Sequence, residues 1–288
     1  MDVSPRRQPP TVRLRRLAAE LRRLRAAGGL TREQVSEQTA INSATLYRIE
    51  TAKVRPQRRT LMALLDKYGV SDEARRAELI ALSQQSGEPG WLQAYESELP
   101  EQYTTYISFE AEARSLRNYE SLFVPGLLQT EDYARAVIAG ILPLASDDEV
   151  KRRVEARRQR QEVLTKKKPL KLWAIVDEAA LRRLVGGPKV MTAQLQRLIG
   201  AVRQPHVTLQ VLPFAVGAHP GMHSSFAIVD FPDAADPELV YIESMAGALF
   251  LERDADVRRY AGIFEHLRAV ALNPADSIEL IVALAEAI

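Results

Sequence analysis

The chain has 288 residues, a length comfortable for two domains, and its 46% hydrophobic and 26% charged residues are the balance of a soluble globular protein. No uninterrupted apolar run approaches the length of a membrane-spanning helix, and the absence of cysteine excludes disulfides, thiolate metal sites and a cysteine nucleophile. The net charge of +2 hides an asymmetry: residues 1–86 hold 17 Lys and Arg against 9 Asp and Glu, whereas the remainder holds 22 against 28. A basic head on an acidic body suggests that the head meets a polyanion and the body does not.

"MDVSPRRQPP" has no apolar core behind its arginines, so it is expected to be a disordered basic arm over residues 1–12 and not a signal peptide. Leu14, Leu17, Leu21 and Leu24 form one apolar stripe of a helix reaching about Ala27, where Gly28-Gly29 ends it. Thr31 with Gln34 reads as a capping box opening a second helix, which ends near Thr39-Ala40. Asn42 caps a third helix through Glu50, and "TAKVRPQ" is a loop before a fourth helix from Arg58 to Tyr68. Gly69 stops that helix and Ser71-Asp72-Glu73 opens a fifth, so residues 13–86 are expected to be an all-α headpiece of five helices.

"SGEPGW" (Ser86–Trp91) breaks any continuing helix, and residues 87–100 read as a linker. Beyond it a helix is predicted over 101–117, a short strand in "YESLFVP", a helix capped by Thr130, and a long charged helix from Ser146 to about Leu164. Strand-like runs follow at 170–176, 207–214, 225–231 and 239–244, with helices at 178–185 and 188–202. "VRRYAGIFEHLRAVAL" and "ADSIELIVALAEA" read as two closing helices. Residues 101–288 are therefore expected to be an α+β domain with a mixed sheet of four or five strands.

"LTREQVSEQTAINSATLYRIE" carries the chemistry. Two short helices meet at a tight turn, with Val35, Ile41, Leu46 and Ile49 inward and small residues at Ser36 and Ala40. The outer face of the second helix holds Ser43, Ala44, Thr45, Tyr47 and Arg48, where an ordinary surface helix would carry Glu and Lys. Short or hydrogen-bonding side chains suit a helix lying in the major groove of double-stranded DNA. Ala and Thr methyls pack on thymine, and Arg48 has the fork that pairs with guanine O6 and N7. Lys53, Arg55, Arg58 and Arg59 follow and are expected to face phosphates, giving affinity and salt dependence without sequence choice. One headpiece buries too little surface for tight specific binding, so a homodimer on an inverted repeat is expected.

This stretch resembles the helix-turn-helix of the Xre/Cro/phage-repressor family over residues 13 to about 70. The resemblance implies that Asn42 is the helix cap, that Ser43, Ala44 and Arg48 read bases, and that Thr45 and Tyr47 lie at the edge of the groove. Arg32, beside Thr31 at the start of the second helix, falls where the family contacts phosphate, and both are assigned to phosphate. Arg25 and Glu50 fall where the family has a structural ion pair. The family often has Gly at positions 40 and 52. Alanine is expected to cost little at 40, and at 52 it implies that the loop avoids a left-handed residue.

Several segments of the larger domain, among them "FEAEARSLRNYESLFVPGLLQTEDYARAV" and "VTLQVLPFAVGAHPGMHSSFAIVDF", resemble a domain of unknown function found in actinobacterial WhiJ-like regulators. That implies a role in development or antibiotic regulation and a small acidic neighbour-encoded protein as a partner. Direct reading of the residues leaves three roles open: dimerisation and protein docking, sensing of a ligand, and catalysis. The loop with His219, Met222 and His223, together with Glu243, is the candidate ligand or partner site. His219 and His223 are a poor metal pair in a loop broken by Gly217, Pro220 and Gly221, so no metal is assigned. Asp177 reads as a helix cap, and Glu110 and Glu112 lie on different faces of a helix where Arg114 or Arg117 would neutralise either. No cofactor loop or nucleophile motif is present. The expectation is a cytoplasmic, nucleoid-associated transcriptional regulator that is not an enzyme and has no membrane partner. An antitoxin-like protein that binds a small partner and autoregulates, or a metabolite-processing enzyme with a DNA-binding head, are the rival readings.

Overall fold

The computed structural model describes residues 12–85, 91–95, 97–233 and 236–288, in two units, Met1–Gln93 and Ala94–Ile288. Apart from Val12, the expected basic arm lies outside the described residues, as does the break at 86–90.

The first unit holds α1 (Val12–Ala27), α2 (Arg32–Thr39), α3 (Ser43–Glu50), α4 (Arg58–Lys67) and α5 (Glu73–Gln85). Leu17 and Leu21 of α1 meet Val35, Leu46, Ile49, Leu61, Leu64, Leu65 and Leu79 in one buried cluster, so each helix contributes its apolar stripe. The helix ends follow local chemistry. Leu30 N–H donates to Arg25 O at 3.1 Å and Gly29 N–H to Ala26 O at 3.0 Å, with Gly29 at φ +66°, which closes α1 as a Schellman motif. The end of α3 closes in the same way on an alanine: Ala52 stands at φ +55° and Lys53 N–H donates to Arg48 O at 2.8 Å. The expectation for position 52 is thus corrected, because the loop does take a left-handed residue there. The reason is packing, since the Ala52 methyl is buried against Leu14 and Ala18. Ala40 also stands at φ +55°, exposed in the turn between α2 and α3, so its cost is that of a left-handed alanine with no burial to offset it.

The second unit is α+β. Its strands are β1 (Ser115–Glu120), β2 (Lys171–Asp177), β3 (Val207–Leu212), β4 (Phe226–Asp230), β5 (Leu239–Ser244) and β6 (Gly247–Leu251), in the order β3-β2-β1-β4-β5-β6. β1, β2 and β3 are parallel, and the other pairings are antiparallel. Parallel pairs need crossovers: α7 (Glu131–Ile141) and α8 (Asp147–Arg160) link β1 to β2, while α9 (Glu178–Arg182) and α10 (Pro188–Ala201) link β2 to β3. On one face Tyr119, Ile175, Phe226, Ile228 and Val240 pack on Phe264 and Leu267 of α11 (Asp254–Val270). On the opposite face Tyr106, from α6 (Glu101–Glu112), stacks on Tyr241 with ring centroids 4.0 Å apart. The β3 edge is covered: Leu272 N–H donates to Val211 O, and Val211 N–H to Ser277 Oγ in α12 (Pro274–Glu286), both at 2.9 Å.

The sheet has six strands, one more than the upper expectation, because "GALFL" folds back on β5 through the tight turn at Met245-Ala246. The first strand lies at 115–120 and overlaps "YESLFVP" only at Tyr119-Glu120, and α6 stops at Glu112 instead of 117. "SLRNYE" conceals a strand because its polar residues are satisfied from afar: Arg117 pairs with Glu238 at 2.7 Å, and Asn118 donates to Phe226 O at 3.2 Å.

Candidate nucleic-acid interface

α3 is fixed from beneath by Leu46 and Ile49, 0% and 1% exposed, and at its start by Asn42 Oδ1, which accepts from Ala44 N–H at 2.8 Å. That leaves Ala44, Tyr47 and Arg48 exposed, with Ser43 and Thr45 half-buried beside them. Arg48 Nη2 donates to Thr45 Oγ1 at 3.3 Å, so two of the assigned base-reading side chains touch one another. Ser43 Oγ donates to Glu33 Oε1 at 3.3 Å, a contact from α2 that the sequence did not disclose. A hydrogen bond from its own backbone amide, and then the Ser43 hydroxyl, hold the Glu33 carboxyl below its usual range. Lys53, Arg55, Arg58 and Arg59 are all exposed along the loop and the start of α4.

Glu50, 3% exposed at the end of α3, ties that helix to the rest of the unit. Its carboxylate accepts from Arg25 Nε at 2.6 Å and Nη2 at 3.0 Å, and from Arg32 Nε at 3.0 Å. The Arg25–Glu50 pair implied by resemblance is therefore present, and Arg32 joins it. The Glu50 hydrogen bond raises the Arg25 guanidinium further above its ordinary value. Arg32 also lies over the Tyr47 ring, 5.2 Å from its centroid, and Lys53 Nζ lies 5.4 Å from the same centroid. Thr31 is committed to its capping box: Gln34 N–H donates to Thr31 Oγ1 at 3.2 Å and Thr31 N–H to Gln34 Oε1 at 2.8 Å. An open depression of about 290 Å³ lies here, lined by Arg25, Gly29, Leu30, Thr31, Arg32 and Glu33.

A helix-turn-helix domain matches residues 16–79, and a domain of unknown function, DUF5753, matches residues 103–283, most of the second unit and more than half of the chain. The chain belongs to the DUF5753 family. No curated protein matches it. A helix-turn-helix headpiece followed by a DUF5753 domain agrees with the Xre-type organisation and supports a DNA-binding regulator. Among the described residues no helix is long and apolar enough to cross a membrane.

Within the DUF5753 domain the candidate residues separate. His219 turns inward, with 8% of its side chain exposed, Nε2 3.6 Å from Asp177 Oδ2 and its ring edge against Tyr119. Met222 and His223 of the same loop are exposed, and Glu243 is exposed near the end of β5. Among the described residues no three His, Cys, Asp or Glu side chains come together as a metal site requires. The other carboxylates are engaged in the scaffold. Asp177 Oδ1 accepts from Ala179 N–H at 2.9 Å, and Glu178 accepts from Arg182 Nε at 2.6 Å and Phe214 N–H at 2.8 Å. Glu110 is fully buried and paired with Arg160, whereas Arg114 pairs with Asp230 and Arg117 with Glu238, which corrects the partners expected for Glu110. Burial pushes the Glu120 carboxyl up to about 7, although Asn118 Nδ2 donates to it at 3.3 Å.

Proposed function

We propose that this protein is a sequence-specific DNA-binding transcriptional regulator that acts as a homodimer on an inverted repeat in the cytoplasm. The DUF5753 domain assembles the dimer and receives a protein or small-molecule signal, with a small acidic protein as one partner, and it performs no catalysis. The observation that carries this reading is the outer face of α3. Ala44 and Arg48 stand exposed on a helix locked by Leu46, Ile49 and Glu50, and four basic side chains follow from Lys53 to Arg59. In this reading Ser43, Ala44, Thr45 and Arg48 meet base edges, while Arg32, Lys53, Arg55, Arg58 and the backbone start of α2 at Thr31 meet phosphates. The engagement of Glu110, Asp177 and Glu178 in scaffold bonds supports a binding role for the second domain over catalysis.

Fluorescence anisotropy tests it, with wild type and Arg48→Ala on a duplex selected by the full-length protein from a random pool, at two salt concentrations. Tight, salt-sensitive binding that exceeds that to scrambled DNA, and is weakened by the substitution, is the expected result. A selection that enriches no site would defeat the reading.

A further inference from the structure

We propose that Tyr47 does not read bases but is a positioning residue, holding Arg32 and Lys53 as a pair of phosphate-binding cations at the flank of α3. The inference rests on the DNA-binding reading and deepens it. Tyr47 is 44% exposed, and its ring centroid lies 5.2 Å from Arg32 Cζ and 5.4 Å from Lys53 Nζ. The two cations come from different elements, one from α2 and one from the loop after α3. Two like charges on separate elements repel unless something between them attracts both, and the negative face of an aromatic ring does so.

Each cation is anchored at its near end. Arg32 Nε donates to Glu50, and among the described residues its terminal nitrogens have no other hydrogen-bond partner. Lys53 begins at the closed end of α3, where its N–H is bound to Arg48 O. The ring therefore gathers two long side chains, one held at Nε by Glu50 and one rooted in the backbone at the closed end of α3, and together they offer positive charge suited to two phosphodiester oxygens. A ring so engaged contributes to affinity through the backbone of DNA and carries no sequence information of its own.

The test compares full-length wild type, Tyr47→Phe, Tyr47→Leu and Tyr47→Ala on the selected duplex, its single-base variants and a scrambled duplex, at several salt concentrations, with thermal melting as the folding control. Tyr47→Ala and Tyr47→Leu are expected to weaken binding to every duplex alike, by about three- to tenfold, with a shallower salt dependence and an unchanged ranking of base variants. Tyr47→Phe is expected to stay within about twofold of wild type, because the ring face is retained. In a Tyr47→Ala background, Arg32→Ala should cost less than it does alone. A changed ranking of base variants would make Tyr47 a reader. A loss in Tyr47→Phe equal to that in Tyr47→Ala would assign the effect to the hydroxyl, and no loss in Tyr47→Ala would remove the pair. Should wild type itself select no site, the DNA reading fails first and the inference with it.

Discussion

Glu110→Ala is the sharpest probe of the DUF5753 domain. The Arg160 guanidinium donates twice to the Glu110 carboxylate, Nε and Nη2 each at 2.6 Å, while Nη1 donates to the Tyr103 hydroxyl at 2.9 Å. The two side chains are 7% and 0% exposed, and the guanidinium lies 5.1 Å from the Tyr106 ring centroid. Gly126 makes room for it, because a Cβ there would lie 3.0 Å from Arg160 Nη1. Removing the carboxylate leaves a buried cation without its counterion, which costs about 3–5 kcal/mol. With a urea slope of about 2–3 kcal/mol per molar, the midpoint falls by about 1–2 M. Trp173 in β2 reports this unit, and Trp91→Phe as the background removes the other tryptophan from the signal. Glu110→Leu with Arg160→Met takes away both charges and should recover at least half of the loss. A cost below about 1 kcal/mol for Glu110→Ala, or a double variant no better than the sum of its singles, would refute the argument.

Arg48→Ala should relax discrimination at about one base pair per half-site by about 1–3 kcal/mol, read by anisotropy on single-base variants. Ala40→Gly should raise headpiece stability by about 0.5–1 kcal/mol, because position 40 is exposed and left-handed. Ala52→Gly should gain little, since the same relief is offset by loss of a methyl buried on Leu14 and Ala18; hydrogen exchange of α3 amides compares the two. Within the ionic cluster, Arg25→Ala should cost more than Arg32→Ala, about 2 kcal/mol against less than about 1, because their side chains are 14% and 36% exposed. Glu120 titrates at about 7 in the fold against an ordinary 4.5, so its ionisation removes stability progressively between those values and the loss is constant above them. Glu120→Gln should accordingly match wild type at low pH and exceed it by on the order of 2 kcal/mol at pH 8, measured by Trp173 unfolding.

The headpiece was legible because its signals are local. The stripe of Leu14, Leu17 and Leu21, the Thr31–Gln34 box and the Asn42 cap each lie within a turn or two of what they specify. The DUF5753 domain hid what depends on distance. Arg160 meets Glu110 50 residues away and Arg114 meets Asp230 116 residues away, so the arginines nearest Glu110 in sequence were the wrong partners. The first half of β1 is hidden in the sequence because Arg117 and Asn118 look unfit for a central strand until Glu238 and Phe226 are beside them. The site showed the same limit. Outward positions on α3 follow from helical period, but Arg32 on Glu50, Glu33 on Ser43 and the cations over Tyr47 follow only from how three elements pack. The left-handed alanines carried no local mark, since alanine says nothing about φ until its neighbours force it.

Glu50 has one more consequence. Because one buried carboxylate joins α1, α2 and the last residue of α3, the exposed face of α3 is already held in place without any ligand. Under the proposed DNA-binding function, association through this face carries little entropy of ordering. Calorimetry of binding should show a heat-capacity change matching only the surface removed from water, without the larger negative contribution of helices folding on their target.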